Sequence, residues 1–283
     1  MREGRYWSIF LIPGGIWLAL FFAVPLGITI AISFGITDDL GNPVYAWNPE
    51  NYSRVFDPVF LPVLIRSVGY ALVATAVCLV IGYPVAYTVA RHGGRFRHLL
   101  ILAVVLPFFV NYLVRTYAWV TLLADDGLVN GLLGTMGISE SGVAWLNTPF
   151  AVVGGLAYGY MAFMILPVYA ALDRMDPSLI EAGKDLYGSP TATFFNVTLP
   201  TTFQGVLAGC VLVFLPAVGD FVSAQLLGGP GTYMVGNLIQ QQFHDAQNWP
   251  FGAALTVVMM AFLLIWMVFY LRSAARAADE GVA

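Results

Sequence analysis

An all-α membrane protein with six transmembrane helices is the fold class this sequence predicts, and three observations predict it. Of 283 residues, 59% are hydrophobic and 10% are charged, where a soluble domain carries about 25% charge. Mean hydropathy is +0.79. The charges gather in short stretches that separate six apolar runs, each long enough to cross a hydrocarbon core about 30 Å thick. The net charge of −4 says less than where the charges stand.

The runs follow in order. Arg2 and Arg5 precede the first, over about 7–34. It exceeds the apolar core of a signal peptide and no convincing small-residue cleavage site follows, so an uncleaved first span is expected. A polar loop, 35–63, carries Asp38, Asp39, Glu50 and Asp57. The second span, 66–90, lies between Arg66 and Arg91, and the basic turn RHGGRFRH leads into the third, 99–123, interrupted only by Arg115. A loop bearing Gly and Asp runs to Pro149. The fourth span, 150–172, holds Gly155 and Gly159 at the spacing that lets membrane helices approach closely. The fifth covers 203–227 and the sixth 251–271. Between them, a Gly/Pro turn at Gly228–Gly231 precedes an amphipathic stretch whose Met234, Leu238 and Ile239 suit either a membrane surface at a pore mouth or a re-entrant packing helix. The whole of 1–283 reads as one transmembrane domain.

The connector 173–202, DRMDPSLIEAGKDLYGSPTATFFNVTLP at its heart, differs from the others. Asp176 has the chemistry of a helix N-cap and Pro177 suits the first helical position, where its missing N–H costs nothing. Gly188 is placed to end that helix in a left-handed cap. Ser189 and Pro190 repeat the start signal, so a helix, a tight turn and a second helix are expected. Leu179, Ala182, Gly183 and Leu186 recur at helical spacing, a small and shallow face suited to docking in a groove.

Nine of the twelve Lys and Arg side chains (Arg2, Arg5, Arg91, Arg95, Arg97, Arg174, Lys184, Arg272 and Arg276) fall on the side of the termini. Arg54 and Arg66 fall on the other side. By the positive-inside rule both termini and the 173–202 loop are cytoplasmic. The outer loops are acidic, which either concentrates a cationic solute or reflects only the arginines retained inside.

Arg115 and Asp220 stand inside spans, about 16 and 17 residues from their inner ends, or about 25 Å at 1.5 Å per residue. Each costs about 2.5–3.5 kcal/mol at a helix centre and needs a partner or a function. Equal depth allows a structural ion pair between them. A pathway site is the other reading, because Pro216 and Gly219 predict a break in the fifth span beside Asp220. Tyr117, Trp119 and Phe221 are near enough in sequence to share a cation there.

Covalent chemistry is not in view. The single lysine, Lys184, rules out a phosphate-binding loop of the G-x-x-x-x-G-K-[ST] type. Cys78 and Cys210 lie in apolar runs and read as small packing residues. His92, His98 and His244 share no metal-ligand spacing.

Glu181-Ala182-Gly183, then Gly188, then Leu199-Pro200 resemble the EAA motif of ABC-importer permeases. Gly183 departs from the motif's second alanine and weakens the helix by about 1 kcal/mol. LPFFVNYLVRTYAW, FLPAVGDFVSAQLLGGPGTYMVG and NWPFGAALT are similar to segments of the spermidine/putrescine branch. The resemblance implies a MetI-like permease fold and a coupling loop built on Glu181, Ala182, Gly183, Leu186, Gly188, Leu199 and Pro200. It further implies a second related permease subunit, an ABC ATPase dimer that uses ATP and Mg, and an extracytoplasmic solute-binding protein. The chain itself would hold no cofactor, do no covalent chemistry and lie in the lipid of a bacterial inner membrane, with no nucleic acid involved. Related permeases handle sugars, sulfate, phosphate, iron and organic acids, and Arg115 is a poor neighbour for a polycation unless Asp220 neutralises it. An ion-coupled carrier with Asp220 as its coupling acid is the rival from another class, and a non-transporting scaffold fits the buried charges poorly.

The topology has a direct test. In a background with Cys78 and Cys210 changed to alanine, a cysteine replacing Arg97 should react with an impermeant thiol reagent only after the cells are opened. Labelling from outside intact cells would reverse the orientation.

Overall fold

The computed structural model describes residues 13–38, 41–137 and 142–280, with side chains described as far as 272. Expectations that fall on residues 7–12, on Arg2, Arg5, Asp39 and Glu140, and on the Arg276 side chain lie outside the described residues.

The helices are α1 (Pro13–Ser33), α2 (Glu50–Val55), α3 (Leu61–His92), α4 (Arg97–Val105), α5 (Tyr112–Leu123), α6 (Leu128–Thr135), α7 (Pro149–Arg174), α8 (Pro177–Tyr187), α9 (Pro190–Gly219), α10 (Val222–Leu227), α11 (Val235–His244) and α12 (Trp249–Glu280). A short antiparallel ribbon pairs β1 (Ile36–Thr37) with β2 (Pro43–Val44). Among the described residues, α1, α3, α7, α9 and the Trp249–Arg272 part of α12 are long and apolar enough to cross a membrane, and a bent pair makes up to six spans.

Two expected spans are corrected. The third, 99–123, is not one helix. After α4 and a 3-10 turn over Leu106–Phe109, Val110 is extended (ψ 138°) and α5 begins behind Asn111, whose side chain accepts the Leu113 N–H. The two arms meet at 91°. Pro107 removes an N–H that a straight helix would use. The fifth span starts earlier than 203 and stops before 227. Its helix begins at Pro190, absorbing the second half of the connector, and ends at Gly219. Met234 and Leu238 are also buried rather than laid on a surface.

The chain divides into two compact units. In the first, made of residues up to Leu61 together with Leu238–Leu264, the end of α1 is tied to α2. Asn51 donates to the carbonyls of Ser33 and Gly35 at 2.9 Å each, and the Ser33 and Tyr52 hydroxyls are 2.5 Å apart. Trp47 stacks on Phe34 with centroids 4.6 Å apart, and Arg54 lies 4.6 Å from the Phe251 ring centre.

The second unit, Pro62–Asn237 with Ile265 onward, is built around α7 and α9. Their approach is set by small residues. A Cβ on Gly205 would lie 2.5 Å from Ala171 Cβ and 2.8 Å from the Pro167 carbonyl, and one on Gly209 would meet Met164 Sδ at 2.7 Å. Without a hydrophobic force between helices in lipid, such close van der Waals packing is what holds them. Cys78 is buried and donates its thiol to the Ala157 carbonyl at 3.2 Å, the packing role expected of it. Tyr83 joins α3 to α9 by a 2.9 Å hydroxyl contact with Thr202.

Gly155 and Gly159 allow close helix approach as expected, but to two short helices and not to α9. A Cβ on Gly155 would strike Leu227 Cδ1 at 2.3 Å, and one on Gly159 would meet the Tyr112 ring at 3.0 Å. These glycines are seats on α7 for side chains of α10 and α5, the two short helices that follow breaks.

Gly205→Leu should therefore wedge α7 from α9 and cost about 1–3 kcal/mol, read as a lower unfolding temperature in detergent. Gly154→Leu, whose position has nothing within 4 Å, should leave that temperature unchanged.

Candidate functional site

Asp220 sits at the break in the fifth span. With φ −66° and ψ 120° it leaves the helical path after Gly219, and α10 restarts at Val222. A break inside a bilayer strands backbone groups that lipid cannot satisfy. Here they are met from within. Asp220 Oδ1 accepts the Ser223 N–H at 2.9 Å, and Asn237 donates to the Phe221 carbonyl at 2.9 Å while accepting the Met234 N–H at 3.1 Å. Gly236 allows this approach, since a Cβ there would be 2.5 Å from the Gly219 carbonyl.

The carboxylate is buried, with 6% of its surface exposed. Oδ2 accepts from the Tyr160 hydroxyl at 2.8 Å and from the Tyr112 hydroxyl. Tyr112 can donate once, so the Ser223 hydroxyl, 2.7 Å away, donates to it. Three neutral donors thus hold the carboxylate without cancelling its charge.

The ion pair with Arg115, one of the two readings that equal depth left open, is not made. Among the described residues the ion pair found is Arg97–Asp173, at 3.2 Å. Arg115 instead lies against aromatic faces, its Cζ 4.7 Å from the Phe108 ring centre, 5.5 Å from Tyr112 and 6.0 Å from Tyr158. Its Nε and Nη1 are buried with no acceptor. The reason is steric: the Tyr112 ring faces Arg115 while its hydroxyl occupies Asp220.

Of the aromatic residues near in sequence, Tyr117 and Phe221 are 58% and 41% exposed, and Trp119 packs against Tyr158 at 5.5 Å. The rings that reach Asp220 belong to Tyr112 and Tyr160. Sequence nearness did not point to these two. The available signal was chemical, because a buried carboxylate needs donors and these are tyrosines on spans, Tyr160 beside the seat glycine Gly159.

The connector forms as its capping residues require. Asp176 accepts the Ser178 N–H at 2.9 Å, and bonding to Ser178 holds its carboxyl below the usual carboxylate range. Gly188 is left-handed at φ 67° and closes α8 with its N–H on the Lys184 carbonyl. Ser189 caps α9 by accepting the Ala192 N–H at 3.1 Å. A π-helical turn over Phe194–Thr198 then precedes Leu199 and Pro200. A proline clashes with the carbonyl four residues back, here Asn196, and the wider turn absorbs that clash within a continuous helix.

One expectation about this hairpin fails. Gly183 is not on an outward docking face with Leu179, Ala182 and Leu186. It is buried against α9, where a Cβ would meet Thr193 Cγ2 at 2.9 Å and Val197 Cγ2 at 3.0 Å. Glu181, Ala182, Leu179 and Leu186 face outward, Leu186 with 75% exposure. The glycine that weakens α8 is what lets it lie on α9. At the hairpin's start, Arg91 donates to the Met175 carbonyl at 3.4 Å and Arg97 pairs with Asp173.

A capped helical hairpin at one end and a broken apolar span at the other have a match among known families. The family model described as the inner membrane component of binding-protein-dependent transport systems aligns with residues 78–279. This chain belongs to that family. The spermidine/putrescine transport system permease protein PotB of Haemophilus influenzae is 40% identical over 259 residues, covering 91% of this chain and 90% of that protein. PotB of Escherichia coli is 38% identical, covering 88% and 92%. A crystal structure of a bacterial ABC transporter involved in import of the acidic polysaccharide alginate shares the fold, with a TM-score of 0.73, 19% identity and 96% of both chains covered. The permease is thus a multi-pass inner-membrane protein and a transporter subunit, not an enzyme, and the ion-coupled carrier reading falls away.

Gly183→Leu should pry α8 from α9 at a cost of about 1–3 kcal/mol, seen as faster limited proteolysis at Gly188–Pro190. Leu186→Ala, at an exposed position, should leave the cleavage rate unchanged.

Proposed function

We propose that this permease subunit carries a polyamine-like organic cation, and that Asp220 receives the cation on its way through. The single observation that carries the reading is a buried carboxylate at a broken span, held by three neutral donors and unpaired with any cation among the described residues. Broken membrane helices are tolerated where they line a cavity, and solute sites in transporters are typically built there. Two PotB relatives, named for spermidine/putrescine transport and aligned over about nine-tenths of this chain, support the same solute class. The acidic outer loops, with Asp57, Asp125, Asp126 and Asp245, would raise the local concentration of a cation.

In this reading the subunit pairs with a second, related permease and receives solute from an extracytoplasmic binding protein. It rests through the exposed face of α8 on an ABC ATPase dimer, which uses ATP and Mg while this chain holds no cofactor. The termini and the hairpin face the cytoplasm, as the arginine distribution supports. Closure of the ATPases would push α8, and the hairpin, braced by Gly183 and continuous with α9, would pass that movement into the span that ends at Asp220. Glu181, Ala182, Leu179 and Leu186 then form the contact, whereas Gly183, Gly188, Leu199 and Pro200 shape the lever behind it.

Asp220→Asn keeps the hydrogen-bond acceptor but removes the charge. In proteoliposomes holding the complete importer it should reduce uptake of labelled spermidine at least about tenfold, a loss of roughly 1.4 kcal/mol. Wild-type uptake by a fully assembled Asp220→Asn importer counts against the reading. Leu186→Asp should separately reduce co-purification of the ATPase by about tenfold or more, as expected for a central apolar contact; undiminished co-purification would move the contact elsewhere.

A further inference from the structure

Arg115 and Asp220 are opposite charges that share one tyrosine. Tyr112 lies one turn before Arg115 on α5, with its ring towards the guanidinium and its hydroxyl on the carboxylate. Neither charge meets an opposite charge among the described residues. The aromatic faces around Arg115 attract it but accept no N–H, and Nε and Nη1 stay buried without a partner. A buried ionised donor without an acceptor is costly to keep. The Tyr112 side chain touches both this donor, with its ring, and an acceptor that would satisfy it, with its hydroxyl.

Both groups stand beside hinges. α5 starts after extended Val110, and α10 starts after extended Asp220. The two short helices pack on each other and both pack on α7, where Gly159 seats the Tyr112 ring. A rotation of α5 about its hinge that lifts Tyr112 from its seat would remove the hydroxyl from Asp220 and bring the next turn of the same helix towards it.

We propose that Arg115 is the release residue of the pathway: when Tyr112 leaves Asp220, the Arg115 guanidinium takes the carboxylate and expels the cation bound there. This rests on the reading that Asp220 receives a cationic solute. A guanidinium can hold a carboxylate through two parallel N–H bonds, which a primary ammonium cannot match. The exchange also keeps the carboxylate paired after the solute has gone. Arg115 therefore weakens the solute's hold on the site and speeds the cycle, a role opposite in sign to that of a structural counter-ion.

The test uses the complete wild-type importer and variants in nanodiscs and proteoliposomes. Equilibrium binding of labelled spermidine to the permease–ATPase assembly is measured without the binding protein, and maximal uptake with it. Arg115→Gln should tighten binding about tenfold, within the ordinary range of coupling between two groups, and lower maximal uptake by a similar factor. Arg115→Lys, which keeps the charge but not the paired bonds, should fall between it and wild type on both measures. Unchanged or weaker binding by an assembled Arg115→Gln importer overturns the proposal, as does Arg115→Lys indistinguishable from Arg115→Gln. If Arg115→Gln does not assemble, Arg115→Met, which keeps an apolar stem in the aromatic cage, takes its place under the same criteria. Failure of both to assemble while Arg115→Lys assembles would make Arg115 a structural cation and overturn the proposal. The wild type tests the underlying reading by itself. No spermidine binding or uptake there sinks both ideas, whereas uptake by wild type with no response to Arg115 sinks only this one.

Discussion

A backbone that leaves the helical path inside a bilayer must find its hydrogen bonds within the protein, because each unmet group costs several kcal/mol there. The second unit is arranged around that demand at Gly219–Phe221. Asn237 reaches the Phe221 carbonyl and Asp220 takes the Ser223 N–H with its own side chain. Gly236 removes the Cβ that would block the approach. Once the backbone is satisfied in this way, the acid that satisfies it is itself buried and needs donors, and Tyr112 and Tyr160 supply them. These buried side chains are thus consequences of the break as much as additions to it.

Glycine placement carries the same logic through the packing. Gly205 and Gly209 bring α9 against α7, while Gly155 and Gly159 turn the first half of α7 into seats for Leu227 and Tyr112. The helix that anchors the unit is therefore also the floor beneath both broken spans. Interfaces packed this closely do not deform smoothly.

At the other end of α9 the chain folds back on itself as a braced hairpin. Two side-chain caps, one left-handed glycine and one buried glycine make α8 and the start of α9 a compact hairpin. Its outward face carries Leu186, and the π-helical turn before Pro200 keeps the hairpin continuous with the span. The likeness to an alginate importer, with 19% identity, indicates that this frame tolerates very different side chains. What such a frame carries is then a matter of its side chains and not of the frame itself.

Much of this was legible in the sequence because it rests on local rules. Apolar runs marked the spans, arginines marked the expected inner side, and Asp176, Pro177, Gly188, Ser189 and Pro190 announced the hairpin through capping preferences that act within a few residues. The break at Asp220 was legible for the same reason, from Pro216 and Gly219. The break at Val110 was missed, although Pro107 lay in view, because a proline alone does not say whether a helix bends or stops. Which partner a buried charge takes was not legible at all. Equal depth left an Arg115–Asp220 pair open, yet depth says nothing about rotation around a helix axis, and Tyr112 meets both groups instead. Gly183 read as part of an outward surface because periodicity identifies a face without saying what covers it. Only the tertiary structure decides that, since it depends on where α9 returns, and the chain returns by packing that no short window of residues contains.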